Sequence, residues 1–142
     1  MNKMAQAQRF MEAIPHAKAL GMRFESIGEG EAEMRMDYNE NFIGDPQTRV
    51  IHGGAVFALL DSCCGAAVLS HPDQRGVTAT IDLRVDYMRP AMPHQTIRAI
   101  ATCYNVTRSV AFVRAVALDE NGEKPVAMAL SLIHISEPTR PY

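Results

Sequence analysis

The stretch from Val50 to Val68 constrains the fold most, because it joins a pair of glycines to an almost continuously apolar run. After Gly53 and Gly54, apolar side chains occupy nearly every position. A helix that is apolar on all sides is buried in a core or spans a membrane. Asp61 interrupts this run, which is already shorter than the roughly 20 residues that cross a bilayer. We therefore predict a central, buried helix that carries a carboxylate in its middle.

Asp61 is the first candidate functional residue, because its carboxylate falls inside this apolar helix. An ionised carboxylate is costly to bury unless it is paired or hydrogen-bonded. Asp61 is therefore either a group that takes part in chemistry or a polar side chain that is satisfied at a contact between subunits.

Two segments alternate apolar and polar residues, as half-buried strands do. One covers residues 31–38 and the other covers residues 77–90. In the second segment, Ile81 and Leu83 belong to the apolar set and Thr80 belongs to the polar set. The regular period of two therefore predicts that Ile81 faces the core and that Thr80 faces away from it.

The other apolar runs complete the predicted order of elements. A short amphipathic helix covers residues 5–14 and is stopped by Pro15. Further strands are predicted over residues 22–27, 95–106, 109–118 and 125–133. Asn121-Gly122 lies between the last two strands and predicts a tight turn with positive φ.

This order, β-β-α-β-β-β-β, contains one long helix. A single helix cannot cover both faces of a sheet, so we expect an antiparallel sheet curled around the helix, which is an α+β fold. The outer face of the sheet is then either solvated or covered by a second subunit. No repeat or linker divides residues 1–142, which we take as a single domain. Residues 131–142 become polar and proline-broken and resemble translated sequencing-adapter sequence, so we expect this tail to be non-native.

Composition and charge exclude several classes of function. The formal net charge of −2 provides no basic surface for nucleic acid or anionic membranes. The first ten residues contain no apolar run that resembles a secretory signal. Cys63, Cys64 and Cys103 have neither a disulfide framework nor metal-ligand spacing. We therefore expect a cytoplasmic protein with free thiols, no metal and no membrane or nucleic-acid partner.

Three motifs together resemble a known family: His52-Gly53-Gly54, Leu59-Leu60-Asp61, and the strand that runs from Thr80 to Arg89-Pro90-Ala91. Over residues 15–130 the chain is similar to the hotdog-fold acyl-CoA thioesterases of the phenylacetate-degradation (PaaI-like) type. The resemblance implies a curved antiparallel sheet wrapped around one long helix. It also implies an acyl-CoA substrate, no cofactor, and a homodimer or homotetramer whose subunits pair through their sheets, with active sites at the interface.

Thioester hydrolysis requires a polarised carbonyl and an activated water or nucleophile. The start of a helix has unpaired N–H groups, so the N–H of Gly54 is a candidate oxyanion donor. The alternative is that Gly53 and Gly54 only permit a tight turn. Asp61 would act as a general base or as a nucleophile. The seven-residue spacing of Gly54 and Asp61 places them roughly 10 Å apart along a helix, so one thioester cannot reach both unless they belong to different subunits.

The same resemblance assigns supporting roles. His52 would either hold the glycine turn or contact the thioester. Thr80 matches a position where related thioesterases carry a hydroxyl that orients the attacking water. Arg89, Arg108 and Ser109 lie where the family contacts CoA, and arginine is suited to bind its phosphates.

The acyl group would contact Phe57, Leu60 and the loop over residues 39–49. Many relatives carry an asparagine shortly before the His-Gly-Gly motif, and residues 44–49 contain none. Asp45 or Gln47 are the possible substitutes, since Asn41 lies further upstream.

Two other functions remain open at this point. The first is a non-catalytic protein that binds or senses acyl-CoA. The second is a hotdog hydratase or dehydratase, which would pair a catalytic histidine with a helical acid; the glycines directly after His52 argue against it.

Overall fold

The computed structural model describes residues 2–74 and 76–136. The helices are α1 (Lys3–Glu12), α2 (Pro15–Ala19) and α3 (Gly53–Leu69), with a 3-10 turn at Glu40–Phe42. The strands are β1 (Arg23–Gly28), β2 (Glu31–Met36), β3 (Val77–Tyr87), β4 (Ile97–Val106), β5 (Val110–Leu118) and β6 (Ala127–Ser136). The predicted order of strands and of the long helix is confirmed.

The six strands form one antiparallel sheet in the order β1-β2-β4-β5-β6-β3. Helix α3 packs against every strand of this sheet. The predicted α+β class, an antiparallel sheet around one central helix, is therefore confirmed. Strands β1 and β3 form the two edges, so the strand that carries Thr80 has one neighbour only within this chain.

Small side chains explain how α3 can lie close to the sheet. The cross-strand partners form two rows across its inner face, Ala32-Ala101-Ala115-Ala129 and Ala99-Ala117-Ala127. All of these alanines are buried. From the helix, the Cys63 thiol approaches within hydrogen-bonding distance of the carbonyls of Ala32 (3.3 Å) and Ala99 (3.4 Å), and burial raises the pKa of this thiol. The alanine rows therefore provide the room that the buried helix occupies.

A β-bulge in β3 overturns the predicted orientation of two side chains. Thr80 pairs with Ile133 and Asp82 pairs with Leu132, so Ile81 is an extra residue without a partner on β6. Ile133 is buried against α3, and Thr80 consequently faces the helix. Ile81 is instead exposed over 54% of its surface. The prediction that Ile81 points inward and Thr80 outward is wrong, because one inserted residue reverses the alternation.

Helix α1 ends at Glu12, shortly before Pro15, so the predicted stop is confirmed. Pro15 then occupies the first turn of α2, where its missing N–H costs nothing. The tight turn with positive φ predicted at Asn121-Gly122 is wrong. Gly122 is not among the residues with positive φ in the described chain. In the loop after β5, the side-chain oxygens of Asp119 and Asn121 instead accept hydrogen bonds from the backbone N–H groups of Asn121 and Glu123.

The predicted non-native tail is only partly described. Residues 131–136 form the second half of β6, and their alternate side chains Ser131, Ile133 and Ile135 are buried. Residues 137–142 lie outside the described residues, so the origin of the tail stays a prediction, as does the single-domain boundary. No helix in the described residues is long and apolar enough to cross a membrane.

Candidate active site

The glycine turn before α3 is held by a short closed loop. Ile43 and Ile51 form an antiparallel bridge, and the N–H of His52 donates to the carbonyl of Phe42 at 2.7 Å. Gly44 lies against the backbone of His52, where an added Cβ would come within 2.8 Å of its Cα. A glycine is therefore required at position 44 for the loop to close and to deliver His52 to the helix start.

His52 is the N-cap of α3. Its side-chain Nδ1 accepts a hydrogen bond from the N–H of Gly54 at 2.8 Å. Of the two roles considered for His52, the structure thus favours holding the glycine turn. The N–H of Gly54 lies in the first turn of the helix, as predicted, but in the described chain it is already bonded to the imidazole. Both residues are exposed.

Tyr87 fixes the same helix end from the sheet. Its hydroxyl donates to the carbonyl of Gly53 at 2.8 Å, and a Cβ on Gly53 would lie 3.4 Å from its ring. Partial burial raises the pKa of Tyr87. No signal in the sequence predicts this hydrogen bond, which joins residues far apart along the chain.

Asp61 and Thr80 form the central polar pair of the site. The Thr80 hydroxyl donates to Oδ1 of Asp61 at 3.0 Å, within one chain. The bulge at Ile81 makes this contact possible, because it turns Thr80 toward α3. Asp61 is half-buried rather than fully buried, and its Oδ2 has no hydrogen-bond partner among the described residues.

One face of α3 stays open along its length. Gly54 and Phe57 are exposed near the helix start, Asp61 is half-buried, and Leu69 is exposed over 47% of its surface near the helix end. Leu60 is fully buried in the core, so the prediction that it contacts the acyl group is wrong. Phe57, at 40% exposure, lies on the open face of α3, and its contact with the acyl group stays a prediction.

A cleft of about 360 Å³ lies beside the start of α3. Gly53 and Val56 line it from the helix, and Tyr87 lines it from the end of β3. This places Gly53, a predicted binding residue, at the wall of a concave surface. Clefts of about 300–1,000 Å³ are typical of small-molecule sites.

The structure contradicts the predicted role of Arg89 in binding CoA. Its guanidinium makes a two-bond ion pair with Asp119, at 2.7 and 2.8 Å. Its remaining donors bond to the carbonyls of Pro90 and Lys124. No donor is left for a phosphate, since arginine has five N–H groups and all are used. Arg89 instead connects the loop after β3 with the loop after β5, beside the cleft.

The other predicted CoA contacts lie at the far end of the sheet. Arg108 and Ser109 form the connection between β4 and β5, and the carbonyl of Ser109 accepts from the N–H of Ile135. Ile135 pairs with Thr78 near the start of β3, whereas Tyr87 and the helix start lie at its other end. Within one chain, Arg108 and Ser109 are thus not brought to the glycine turn.

The loop before the His-Gly-Gly motif does not identify a substitute for the missing asparagine. Asp45 accepts hydrogen bonds from the N–H of Gln47 and the hydroxyl of Thr48, both at 2.9 Å. These bonds lower the pKa of Asp45. Its carboxylate therefore serves its own turn, and Asn41 lies in the preceding 3-10 turn. In the described part of the chain, no group of three His, Cys, Asp or Glu side chains is arranged to hold a metal ion.

Comparison with known proteins agrees with this geometry. The family model of the thioesterase superfamily matches residues 49–126, a segment that contains His52, Gly54, Asp61 and Thr80. The chain therefore belongs to the thioesterase superfamily, and its sheet and central helix are the hotdog fold.

Individual relatives refine this assignment. A crystal structure of a Pseudomonas aeruginosa protein is 34% identical with a TM-score of 0.82, and the match covers 94% of this chain and 98% of that one. A mutant of the phenylacetic acid degradation protein PaaI from Thermus thermophilus is 27% identical with a TM-score of 0.76, covering 87% of this chain and 100% of that one. The predicted resemblance to PaaI-like hotdog thioesterases is thus confirmed.

A curated relative with a named activity is also similar to this chain. The medium/long-chain acyl-CoA thioesterase YigI of Escherichia coli is 28% identical over 96 residues, which are 58% of this chain and 62% of YigI. The chain spans about half to three fifths of the length of the first curated relatives it matches (50 and 62%).

The Arg89–Asp119 pair leads to a prediction about stability. Asp119 is fully buried, and its carboxylate also accepts the N–H groups of Met92 and Asn121 at 3.0 Å. We expect Asp119→Ala to lower the free energy of unfolding by about 3 kcal/mol, because a charged partner is left unpaired. Urea unfolding measures this change. Asp86→Ala is the matched control: it removes an exposed ion pair with Arg84 and should cost less than about 1 kcal/mol.

The effect of Asp119 should also depend on pH. The Arg89 hydrogen bonds hold the pKa of Asp119 well below its ordinary value. A carboxyl whose pKa is lower in the folded state contributes stability above its unfolded pKa of about 3.9 and loses it as the pH falls further. The difference between wild type and Asp119→Ala should therefore be full at about pH 6 and shrink below about pH 4. A difference that stays constant down to about pH 2 would contradict this account.

Proposed function

We propose that this protein hydrolyses acyl-CoA thioesters to a free acid and CoA. The observation that supports this most strongly is the Asp61–Thr80 pair on the open face of α3. Membership of the thioesterase superfamily sets the reaction class, and the likeness to YigI supports acyl-CoA as the substrate.

Asp61 carries the central chemical step in this proposal. Thr80 holds Oδ1, and this leaves Oδ2 to act on a water or on the thioester. As a general base, Asp61 takes a proton from water, the hydroxide attacks the carbonyl carbon, and the C–S bond breaks to release the CoA thiolate, which is then protonated. As a nucleophile, Oδ2 attacks the carbonyl carbon itself, and the C–S bond breaks to release the CoA thiolate, which is then protonated. Water hydrolyses the resulting mixed anhydride to the free acid and restores the Asp61 carboxylate. The arrangement is compatible with both routes.

Gly54 would stabilise the negative charge that develops on the thioester oxygen. Its N–H points out of the first turn of α3, where the helix dipole favours negative charge. The imidazole of His52 now accepts this N–H, so the substrate carbonyl would have to replace it. Because His52 is exposed, its ring has room to turn away.

The helix geometry suggests that each site is shared between two copies of the chain. Gly54 and Asp61 both lie in α3 and are seven residues apart, so the helical rise separates them by roughly 10 Å. One reacting carbon cannot lie about 3 Å from both groups. We therefore infer a homodimer or homotetramer in which Asp61 of one copy faces Gly54 of another. The exposed apolar side chain of Phe57, between them, supports burial of this face in an assembly.

The CoA part of the substrate has fewer defined contacts than the thioester. The cleft beside Gly53 and Tyr87 is the candidate entry for the pantetheine arm. Arg108 and Ser109 would bind CoA phosphates only from a neighbouring copy. The proposal requires no cofactor. The free, buried thiols of all three cysteines support a reducing, cytoplasmic location.

Replacing Asp61 tests the reaction. We expect Asp61→Asn to lower kcat/KM by at least a hundredfold on every acyl-CoA that the wild type hydrolyses, since an amide is neither a base nor a nucleophile. Release of free thiol from acetyl-, butyryl-, decanoyl-, benzoyl- and phenylacetyl-CoA measures this. Circular dichroism and sedimentation control for folding and assembly. If wild type and variant bind acyl-CoA but neither hydrolyses it, the protein is a binding module and the proposal fails.

Two substitutions of Thr80 distinguish the role of its hydroxyl from the role of its size. Thr80→Val keeps the shape of the side chain but removes the hydroxyl that holds Asp61, so we expect kcat to fall about tenfold with little change in the free energy of unfolding. Thr80→Ser keeps the hydroxyl and should retain most of the rate. A Thr80→Ser variant as slow as Thr80→Val would contradict this role, because Thr80→Ser keeps the hydroxyl that bonds to Asp61.

A further inference from the structure

A groove of about 470 Å³ lies between α1 and α3. Phe10 and Met11 line it from α1, and Ile14 lines it from the connection between α1 and α2. Gly65, Ala66 and Leu69 line it from α3. The walls are mainly apolar, and Lys3 and Gln6 stand among the lining residues of the first turns of α1. None of the site residues discussed above belongs to this groove.

The groove begins next to the candidate active site. Ser62, its first lining residue on α3, directly follows Asp61. From the sheet, Thr78 lines it, and Thr78 shares the inward face of β3 with Thr80, because it pairs with the buried Ile135. A group attached to a thioester at Asp61 would therefore enter the groove from its inner end.

The groove floor is kept open by a glycine. A Cβ added to Gly65 would meet no atom within 4 Å. Glycine in the middle of a helix costs about 1 kcal/mol relative to alanine. Neither packing against α1 nor a special backbone conformation requires a glycine at this position, since its φ is not in the positive region. Because Gly65 has no side chain, it leaves the floor of the groove unfilled.

The mouth of the groove is apolar and exposed. Phe10 is exposed over 60% of its surface, Leu69 over 47% and Ile14 over 36%. Contiguous exposed apolar residues around a concavity mark a binding site. Together with the open floor at Gly65, they indicate a ligand that is apolar along its whole length.

We propose that this groove binds the acyl chain of the substrate and that the chain is a linear alkyl chain of medium length. The inference rests on the proposed thioesterase function. The helical rise from Asp61 to Leu69 is roughly 12 Å. An extended polypeptide advances about 3.5 Å for every three backbone bonds. An extended alkyl chain that spans roughly 12 Å therefore has about ten carbon–carbon bonds. The groove replaces the pocket around Leu60 that the sequence predicted.

Filling the groove at Gly65 tests the assignment. We expect Gly65→Leu to lower the ratio of kcat/KM for decanoyl-CoA to that for butyryl-CoA at least tenfold, which corresponds to about two methylene groups that are no longer buried. Phe10→Ala, at an exposed position, should lower the same ratio in the same direction without disturbing the core. Ala5→Leu is the matched control, since it adds similar bulk to α1 at an exposed residue outside the groove and should leave the ratio unchanged.

Binding of S-decyl-CoA, a thioether that cannot be hydrolysed, separates this inference from the proposed function. Isothermal titration should show that S-decyl-CoA binds at least tenfold more tightly than S-ethyl-CoA, and that Gly65→Leu removes the difference. This result stands even if no thioester is hydrolysed, in which case only the proposed reaction fails. If Gly65→Leu affects all chain lengths equally, or if wild type prefers phenylacetyl-CoA to decanoyl-CoA, the alkyl groove is wrong while thioester hydrolysis stands.

Discussion

The close packing of α3 on the alanine rows is the contact on which the rest of the structure depends. Because rows of alanines cross the inner face of β4, β5 and β6, the helix lies near the sheet and buries Leu59, Leu60 and Cys63. The opposite face of the helix is then left open. It is on this face that Gly54, Phe57 and Asp61 lie, so the packing of the core determines which residues can meet a substrate.

The start and the middle of α3 are held by hydrogen bonds with His52 and with two residues of β3. His52 caps the helix start through Gly54, and Tyr87 holds the carbonyl of Gly53 from the sheet. Thr80 meets Asp61 from the same strand, two turns further along the helix. Strand β3 therefore positions both groups that the proposed reaction uses, and a change in its register would displace both at once.

Most of the fold follows from the periodicity of apolar residues in the sequence. Most of the wrong predictions concern interactions that this periodicity does not encode. The long helix, the succession of strands along the chain and the place of Asp61 in the helix follow from runs of apolar residues that are long and regular. The orientation of Thr80 does not, because a single extra residue at Ile81 reverses the alternation and leaves no trace in composition. The pairing of Arg89 with Asp119 joins residues thirty positions apart, so an arginine that looked available for phosphate is already satisfied.

The central claim is that one active site needs Gly54 of one chain and Asp61 of another, and subunit complementation tests it most directly. Gly54→Pro removes the N–H at a position in the first helical turn that tolerates proline, and Gly54→Ala is the control that keeps it. Each of Gly54→Pro and Asp61→Asn should be inactive alone. After the two are unfolded together and refolded as an equal mixture, random pairing makes half of the dimers mixed, each with one intact site of two, so activity should return to about a quarter of wild type. A mixture as inactive as its components, with mixed dimers shown to form, would contradict the shared site.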